Sequence, residues 1–178
     1  MSQKFPAVFW DRDGTLMEEV DYCKDPANVK IFPSVPAILA KLKAAGYKNI
    51  IITNQAGIGR GYMTGEQYRS VEAELLRQIG PELIAATYFC PDAPWQDSPR
   101  RKPKPGMVLE AADEHGIDLG RSFFVGDKTS DIECGHSAGV RTILVHTGYG
   151  STQNDACPDF IAKDVVTAAD IVLQNTDV

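Results

Sequence analysis

The sequence predicts an α/β fold in which helices cover both faces of a doubly wound parallel sheet, making three layers. Short runs rich in β-branched and aromatic residues alternate with amphipathic helical stretches along the 178-residue chain. The short runs are mostly apolar and show no polar alternation, as is typical of strands buried on both faces. A chain of this length fits one domain, and we expect residues 1–178 to form it.

Each element follows from a local pattern. Strands are predicted at residues 7–10, 50–53, 87–90, 123–126 and 142–146, with a weaker sixth strand at 160–162. Amphipathic helices are predicted at residues 35–45, 64–79, 107–115, 131–138 and 165–173. Thr64 and Gln67 are close to a capping box at the start of the second helix, and Gly46 is a stop signal after the first.

Two segments interrupt the alternation, and each directly follows a predicted strand. Residues 14–32 are too long for an ordinary loop between a strand and a helix. Residues 91–105 hold five prolines, which excludes a helix there. Because long insertions after strand ends usually carry function, we expect both segments to be functional loops.

Charge and cysteine content exclude several classes of protein. The chain carries 18 Lys and Arg against 24 Asp and Glu, a net charge of −6, which argues against general attraction to nucleic acid or anionic membranes. The four cysteines form no CxxC pair, and no apolar run approaches the roughly 20 residues that span a bilayer. The first residues lack the apolar stretch of a secretion signal. We therefore expect a reduced cytoplasmic protein with no nucleic-acid or membrane partner, and a monomer by default.

The strongest chemical signal is the sequence DRDGT at residues 11–15, directly after the first predicted strand. In doubly wound sheets, ligands bind at the carboxyl ends of the strands. Asp11 and Asp13, followed by a glycine that permits a sharp turn, make an oxygen-rich corner suited to Mg²⁺. Asp11 can serve as metal ligand and nucleophile, and Asp13 can transfer a proton. The alternative for this motif is a simple turn with a local ion pair.

Two other predicted strands end in complementary groups. Thr53, Asn54 and Gln55 follow the second strand, where a hydroxyl and two amides can line a site or cap a turn. Asp127 and Lys128 follow the fourth strand. Asp127 offers a third carboxylate, and the alternative is a surface ion pair between these two residues.

Three further features stay open at this level. Asp131 is compatible both with organising metal-bound water and with capping the helix that follows. His146 ends the fifth predicted strand, where a structural role is favoured over a catalytic one. Residues 100–104 read RRKPK, a basic run that suits a solvated loop, a targeting cluster or an anion site beside a helix N-terminus.

The combined charges favour phosphate chemistry. Carboxylates that converge within about 4 Å repel by roughly 4 kcal/mol per pair at an effective dielectric constant of about 20, and a divalent cation removes that cost. A phosphate group can approach an aspartate only where cations and neutral donors offset its charge. The strand ends and the basic run supply aspartates, a hydroxyl and a lysine, the set that Mg²⁺-dependent phosphoryl transfer requires.

The segments DRDGT, TNQ, RKPKPGM and VGDKTSD, in this order, resemble the four motifs of the haloacid dehalogenase (HAD) superfamily of phosphatases. The segments TNQAGIGRGYMT, KPGM and GDKTSDIECG resemble more closely the subgroup of histidinol phosphatase and D-glycero-D-manno-heptose-1,7-bisphosphate phosphatase. The resemblance covers about residues 5–150. It implies a HAD-like Rossmannoid fold with no large cap domain, in which the loop at residues 14–32 is a flap over the site.

The resemblance also implies roles for the site residues. Asp11 would be the nucleophile and Asp13 the general acid and base. Thr53 and Lys102 would contact the phosphoryl oxygens, and Mg²⁺ would be held by Asp11, the backbone carbonyl of Asp13, and Asp127. The residues implied in substrate binding are Glu19, Val20, Asp21, Tyr22, Asn54, Gln55, Arg101 and Lys128.

The loop after the third strand departs from the subgroup pattern. The subgroup usually holds a structural zinc there through CxH and a later CxC, whereas this chain keeps only Cys90 of the four ligands. Structural zinc needs about four N or S donors, so we expect no structural zinc. The five prolines can instead stiffen the loop by restricting the unfolded chain.

Together these features predict a Mg²⁺-dependent phosphomonoesterase that works through a phosphoaspartate on a small phosphorylated sugar. D-glycero-D-manno-heptose 1,7-bisphosphate is the first expectation, and histidinol phosphate or another sugar or polyol phosphate is the alternative. A phosphoaspartyl receiver domain is the alternative among signalling proteins, although its acidic pair is adjacent and its phosphoacceptor lies on a later strand. A phosphosugar-binding protein without turnover is disfavoured because Asp11, Asp13 and Lys102 are all present.

Overall fold

Six parallel strands form the centre of the molecule, which the computed structural model describes for residues 4–176. The strands are β1 (Ala7–Trp10), β2 (Lys48–Asn54), β3 (Ala86–Cys90), β4 (Phe123–Gly126), β5 (Arg141–Val145) and β6 (Phe160–Ala162). Their order in the sheet is β3-β2-β1-β4-β5-β6. Helices pack on both faces of this sheet, which confirms the predicted α/β class, and the described residues include no large cap domain.

The helices are α1 (Val35–Ala44), α2 (Ala56–Gly59), α3 (Gly65–Ile79), α4 (Gly106–His115), α5 (Thr129–Ala138) and α6 (Val165–Gln174). All but the short α2 correspond to predicted helices. A complete capping box precedes α3, since Thr64 Oγ1 accepts from the Gln67 N–H at 3.1 Å and Gln67 Oε1 accepts from the Thr64 N–H at 2.8 Å. Within residues 4–176, no helix is long and apolar enough to cross a bilayer.

The sheet separates two apolar cores because successive strand residues point to opposite faces. On β1, Val8 and Trp10 belong to a core shared with α1, α3 and α6, while Ala7 and Phe9 belong to a core shared with α4 and α5. All four side chains are fully buried. Burying a large apolar side chain contributes roughly 1.5–3 kcal/mol, which explains why this strand shows no polar alternation.

Strand β2 begins two residues before the predicted position, because one polar residue near its start is satisfied inside the core. Asn49 is buried and its side-chain oxygen accepts a hydrogen bond from Trp10 Nε1 at 3.2 Å. Its amide nitrogen donates to the backbone oxygens of Leu39 and Leu83 at 3.0 and 3.1 Å. A buried amide with all these partners is compatible with a central strand.

The order of the strands reverses at β1. Strands β2 and β3 extend the sheet on one side of β1, and β4, β5 and β6 extend it on the other. Trp10 pairs with Ile51 on β2 and with Val125 on β4, so the residues that follow these three strands emerge side by side. This point of reversal is where open α/β sheets bind their ligands.

The two long segments connect strands that end at this edge to the helices that follow. Residues 14–32 join β1 to α1 and contain a 3₁₀ turn, Pro26–Asn28, with isolated bridges from Met17 to Asp13 and to Ile31. Residues 91–105 join β3 to α4 and contain no helix or strand, as the prolines predict.

Candidate active site

Asp11 follows β1 directly and lies at the point where the strand order reverses. Its N–H donates to Val125 O at 2.9 Å, and its buried carboxylate accepts a hydrogen bond on Oδ1 from Lys102 Nζ at 2.7 Å. Burial alone would raise the pKa of Asp11, but the positive charges of Lys102 and Lys128 hold the pKa below its ordinary value. Asp11 is therefore ionised at neutral pH, as a carboxylate nucleophile must be.

The ammonium group of Lys102 is surrounded by oxygen atoms. In addition to Asp11, it contacts Ile52 O at 2.9 Å and Asp131 Oδ1 at 2.7 Å. Burial by itself would lower the pKa of Lys102, but the two carboxylates raise it above its ordinary value. Lys102 thus brings a fixed positive charge from the proline-rich loop to the end of β1.

Asp127 is a fully buried carboxylate whose two oxygens have different surroundings. Oδ2 accepts a hydrogen bond from the Tyr149 N–H at 2.8 Å, whereas Oδ1 has no hydrogen-bond partner within residues 4–176. Burial, followed by the negative charges of Asp11 and Asp131, raises the pKa of Asp127 to about 8. The alternative of a surface ion pair with Lys128 is wrong, because Asp127 is inaccessible to solvent.

The cluster of Asp11, Asp127 and Asp131 provides a test of metal binding. One carboxylate oxygen from each lies within 4.8 Å of the other two. Hard oxygen donors at this spacing fit Mg²⁺, and a divalent cation would both offset their repulsion and satisfy the unpartnered Oδ1 of Asp127. The residues present therefore fit a magnesium ion.

Asp131 contacts both lysines of the site, the backbone of one and the ammonium group of the other. It is the third residue of α5, and its Oδ2 accepts a hydrogen bond from the Lys128 N–H at 3.0 Å. Its Oδ1 pairs with Lys102 Nζ. Burial raises the pKa of Asp131 to about 6 even though Lys102 acts in the opposite direction. Asp131 therefore does not occupy the N-cap position, and its side chain instead caps from inside the first turn.

Asp13 is held by three donors. Arg12 Nε and Gln55 Nε2 donate to Oδ2 at 2.9 and 3.0 Å, and Arg12 Nη2 donates to Oδ1 at 3.0 Å. The local ion pair that was an alternative to a functional site is thus present, but it forms inside that site. The side chain of Asp13 is 13% exposed, which leaves part of it accessible to a ligand.

The remaining polar residues after β2 contact one another and the proline-rich loop. Asn54 Nδ2 donates to Lys102 O at 3.0 Å, and Asn54 Oδ1 accepts from the Lys102 N–H at 3.1 Å. Thr53 is buried, and its Oγ1 accepts a hydrogen bond from Gln55 Nε2 at 2.9 Å. The amides of Asn54 and Gln55 therefore hold neighbouring groups of the site in place.

Two adjoining cavities open at this edge of the sheet. A cavity of about 40 Å³ touches Asp11, and a cavity of about 270 Å³ shares Asp13, Asn54, Lys128 and Ser130 with it. The small cavity is lined by Asp11, Asp13, Asn54, Lys102, Lys128, Ser130 and Asp131. The larger one includes residues of both long segments, among them Glu19, Val20, Asp21, Tyr22 and Arg101.

Lys128 lies between the cavities and the segment at residues 14–32. Its Nζ donates to Glu19 Oε2 at 3.2 Å and lies 5.0 Å from the centre of the Tyr149 ring. Burial would lower the pKa of Lys128, but Asp11, Asp127 and Glu19 raise it. This lysine is a second positive charge beside the nucleophile, and its side chain remains 36% exposed.

Some residues differ from the sequence-based expectations. Thr53 lines neither of the two cavities, and His146 is exposed and lies one residue beyond β5. Sequence reasoning missed Arg12, Ser130 and Tyr149, all of which line the larger cavity. The positions of Arg12 and Ser130 inside the DRDGT and GDKTSD motifs could have indicated them, whereas Tyr149 lies outside every motif.

Cys90 is the only one of the four zinc ligands of the subgroup that this chain keeps, and its sulfur has two side-chain oxygens nearby. Its Sγ lies 3.4 Å from Asp92 Oδ2 and 3.7 Å from Ser98 Oγ. Burial raises the pKa of the Cys90 thiol. Absence of structural zinc remains a prediction from the sequence.

The chain is similar to known phosphatases over most of its length. The D-glycero-D-manno-heptose-1,7-bisphosphate 7-phosphatase of Thermosynechococcus vestitus is 36% identical, with 93% of this chain and 94% of that protein covered. The D-glycero-beta-D-manno-heptose-1,7-bisphosphate 7-phosphatase of Helicobacter pylori (strain J99) is 39% identical, with 79% and 83% covered. A profile of HAD-hydrolase-like proteins matches residues 99–168. The chain belongs to the HAD superfamily of phosphatases.

A solved structure of another phosphatase has the same fold as this HAD phosphatase over nearly the whole chain. The D,D-heptose 1,7-bisphosphate phosphatase of B. bronchiseptica, complexed with magnesium and phosphate, superposes with a TM-score of 0.87 at 27% identity, covering 95% of this chain and 98% of that one. The resemblance of the motifs to the histidinol-phosphatase and heptose-bisphosphate-phosphatase subgroup is confirmed. The receiver-domain alternative is wrong, because the relatives are phosphatases.

Proposed function

We propose that this HAD phosphatase uses Mg²⁺ to hydrolyse D-glycero-D-manno-heptose 1,7-bisphosphate through a phosphoaspartate on Asp11. The observation that carries the reaction type is the 40 Å³ cavity, in which the ionised Asp11 lies between the positive charges of Lys102 and Lys128. The substrate is proposed from relatives of 35–39% identity that are named heptose-1,7-bisphosphate 7-phosphatases.

The proposed metal site consists of Asp11, Asp127 and the backbone carbonyl of Asp13. The buried oxygen of Asp127 without a hydrogen-bond partner supports this assignment. When bound, Mg²⁺ supplies positive charge that offsets the repulsion between the carboxylates and the phosphate. Asp131 is not needed as a ligand, because Lys102 already balances its charge.

In the proposed first step, an Asp11 carboxylate oxygen attacks phosphorus and the bond from phosphorus to the sugar oxygen breaks. Asp13 gives its proton to that leaving oxygen, so the sugar departs as a neutral alcohol. Lys102 and Lys128, which line the 40 Å³ cavity, are proposed to stabilise the negative charge on the phosphoryl oxygens. Hydrogen bonds from Asn54 to the backbone of Lys102 support the placement of its ammonium group.

In the proposed second step, Asp13 takes a proton from water, and the water oxygen attacks the phosphorus of the phosphoaspartate. The bond between phosphorus and Asp11 breaks, which releases phosphate and restores both carboxyl groups to their starting states. One ester and one water thus give one alcohol and one phosphate. A single carboxyl group can serve as acid and then as base because the proton returns to it in each cycle.

The larger cavity is proposed to hold the rest of the sugar and its second phosphate. Arg101 and Lys128 place positive charge there, and Gln55 offers an amide. Glu19, Val20, Asp21 and Tyr22 line the side formed by residues 14–32, which suits the role of a flap. The polar lining fits the hydroxyl groups of a sugar.

The experiment is a comparison of kcat/KM for heptose 1,7-bisphosphate, histidinol phosphate and a panel of sugar and polyol monophosphates, each with Mg²⁺. Heptose bisphosphate should have the highest value, and ³¹P NMR should show loss of the 7-phosphate. A higher value for histidinol phosphate or another ester would replace the proposed substrate. An Asp11→Asn protein that hydrolyses esters at the wild-type rate would reject the mechanism itself.

We also propose that the protein is a monomer and that it is located in the cytoplasm. The relatives named above are named for a small sugar bisphosphate substrate, and residues of one chain line both cavities. Light scattering at assay concentration would give the mass of one chain, and fractionation of cells would place the protein in the soluble cytoplasmic fraction.

A further inference from the structure

Arg12, the residue between the two catalytic aspartates, is a buried cation whose role the mechanism above does not use. Its side chain is 1% exposed. Two of its three nitrogens form a fork on Asp13, with Nε on Oδ2 at 2.9 Å and Nη2 on Oδ1 at 3.0 Å. Such a two-point contact fixes the plane of a carboxylate, which a single ammonium group cannot do.

The surroundings of Arg12 hold its guanidinium group in place, but they leave one of its nitrogens without a hydrogen bond. Its Cζ lies 5.7 Å from the centre of the fully buried Tyr68 ring, and that ring packs against Phe89 at 4.2 Å. Its third nitrogen, Nη1, is buried without a hydrogen-bond partner within the described part of the chain. A buried ion pair with an unsatisfied donor is a poor means of stabilising a fold, so its position requires another explanation.

The two carboxylate oxygens of Asp13 accept different numbers of hydrogen bonds. Oδ2 accepts from both Arg12 Nε and Gln55 Nε2, which occupies its two acceptor sites. Within residues 4–176, Oδ1 accepts only from Arg12 Nη2, which leaves one of its acceptor sites without a protein donor. Only Oδ1 can therefore carry a transferred proton without losing a hydrogen bond.

We propose that Arg12 is a positioning residue that presents Oδ1 of Asp13 as the atom that gives and takes the proton. This inference rests on the proposed function, in which Asp13 protonates the leaving oxygen. Arg12 does not line the 40 Å³ cavity beside Asp11, and it acts by holding the carboxyl plane. Gln55 supports the same arrangement by occupying Oδ2.

The test exploits the difference between leaving groups. An alkyl phosphate such as glycerol phosphate releases a strongly basic alkoxide unless it is protonated, whereas 4-nitrophenyl phosphate releases a weakly basic phenolate. The ratio of kcat/KM for these two esters reports the protonation step and is independent of the later hydrolysis of the phosphoaspartate. We expect Arg12→Met and Arg12→Lys to lower kcat/KM for the alkyl ester about 100-fold and to leave the aryl ester nearly unchanged.

Three variants make the outcome decisive. Arg12→Lys keeps the charge without the fork, and it replaces Arg12→Met if the latter does not fold. Gln55→Leu should change the ratio in the same direction by a smaller factor. Arg141→Met is the matched control, because Arg141 is also an arginine stacked on a ring, with Cζ 4.0 Å from the centre of Phe123, and it lies outside the site. Its ratio should equal that of the wild type.

Equal losses for both esters in the Arg12 variants would show a structural role and overturn the proposal, and so would wild-type activity of these variants on both esters. The failure of the proposed function has a different signature. In that case the wild-type protein itself releases no phosphate from either ester in the presence of Mg²⁺.

Discussion

Asn54 and Lys102 are joined by a closed pair of hydrogen bonds, 3.0 and 3.1 Å long, between the side-chain amide of one and the backbone of the other. The pair links the end of β2 to the proline-rich loop across 48 positions of sequence. It fixes the backbone from which the Lys102 side chain reaches Asp11. The resemblance assigns Asn54 to substrate binding, but both ends of its amide already hold this loop.

Replacing Asn54 by alanine should therefore damage catalysis through Lys102. Each lost hydrogen bond costs about 0.5–1.5 kcal/mol of stability, and displacement of the lysine should lower kcat by about 100-fold. Asn54→Asp keeps the acceptor for the Lys102 N–H and should lose less stability, but its negative charge beside Asp11 should lower kcat at least as much. Steady-state kinetics and thermal denaturation check both changes. Asn175→Ala removes a similar amide contact, to Ile171 O, far from the site and should leave kcat unaltered.

The raised pKa of Asp127 predicts how the stability of the metal-free protein depends on pH. The folded protein keeps a proton on Asp127 up to about pH 8, whereas the unfolded chain releases it near an ordinary carboxyl pKa of 3.8. Between these values the folded state binds more protons, so this group makes stability fall as pH rises, by at most about 1.4 kcal/mol per pH unit. Above pH 8 its contribution no longer changes.

Asp127→Asn removes this dependence. Without metal, chemical denaturation should show the variant gaining stability over the wild type as the pH rises from about 4 to 8. Saturating Mg²⁺ should reverse the order at pH 8, because the ion stabilises the ionised wild-type carboxylate. Parallel stability curves for the two metal-free proteins would mean that the Asp127 carboxyl group does not titrate in this range.

Gly148 is expected to be required for full Mg²⁺ affinity. Its φ is +55°, and a Cβ there would collide with Asp127 Oδ2, the oxygen that accepts from the Tyr149 N–H. Gly139 has a φ of +79° with no atom within 4 Å of an added Cβ. Each alanine variant should lose about 1–2 kcal/mol from the left-handed backbone. Only Gly148→Ala should also weaken Mg²⁺ binding, which isothermal titration calorimetry measures. Equal affinities in the two variants would contradict this expectation.

The proline-rich loop should work without zinc. Protein produced in zinc-supplemented medium and dialysed should contain no stoichiometric zinc by elemental analysis, since Cys90 alone cannot provide a tetrahedral set. After treatment with a chelator, Mg²⁺ alone should restore full activity. One zinc per chain, or activity that returns only with zinc, would show that the loop has recruited other ligands.

The strands could be predicted from sequence because both faces of the sheet are covered. The run around Val8 and Phe9 is short, apolar and partly aromatic, which indicates a strand buried on both faces, and all its side chains are buried. The start of β2 was missed because Asn49 is polar, and only the folded structure brings Trp10, Leu39 and Leu83 to its side chain. Helix α2 was missed because a four-residue turn with two glycines carries no periodic signal.

The site was predictable to the extent that its residues occur in motifs at strand ends. Asp11 and Asp127 are of this kind, because parallel strands bring their carboxyl ends to one edge. Lys102 was identified only through the family resemblance, since no local rule relates a loop lysine to a strand 91 positions away. Tyr149 contacts Asp127 with its backbone, and backbone donors leave no trace in residue type.

Strand β1 is hydrogen-bonded to neighbouring strands on both edges, whereas the segments 14–32 and 91–105 contribute no strand to the sheet. Mutations at exposed positions of the two segments can reshape what the larger cavity accepts without shifting the register that positions Asp11, as long as Lys102 is kept. Descendants of this protein can therefore acquire new substrates by drift in its loops. A change of reaction would require substitutions at the centre of the sheet, where β1 pairs with β2 on one edge and with β4 on the other.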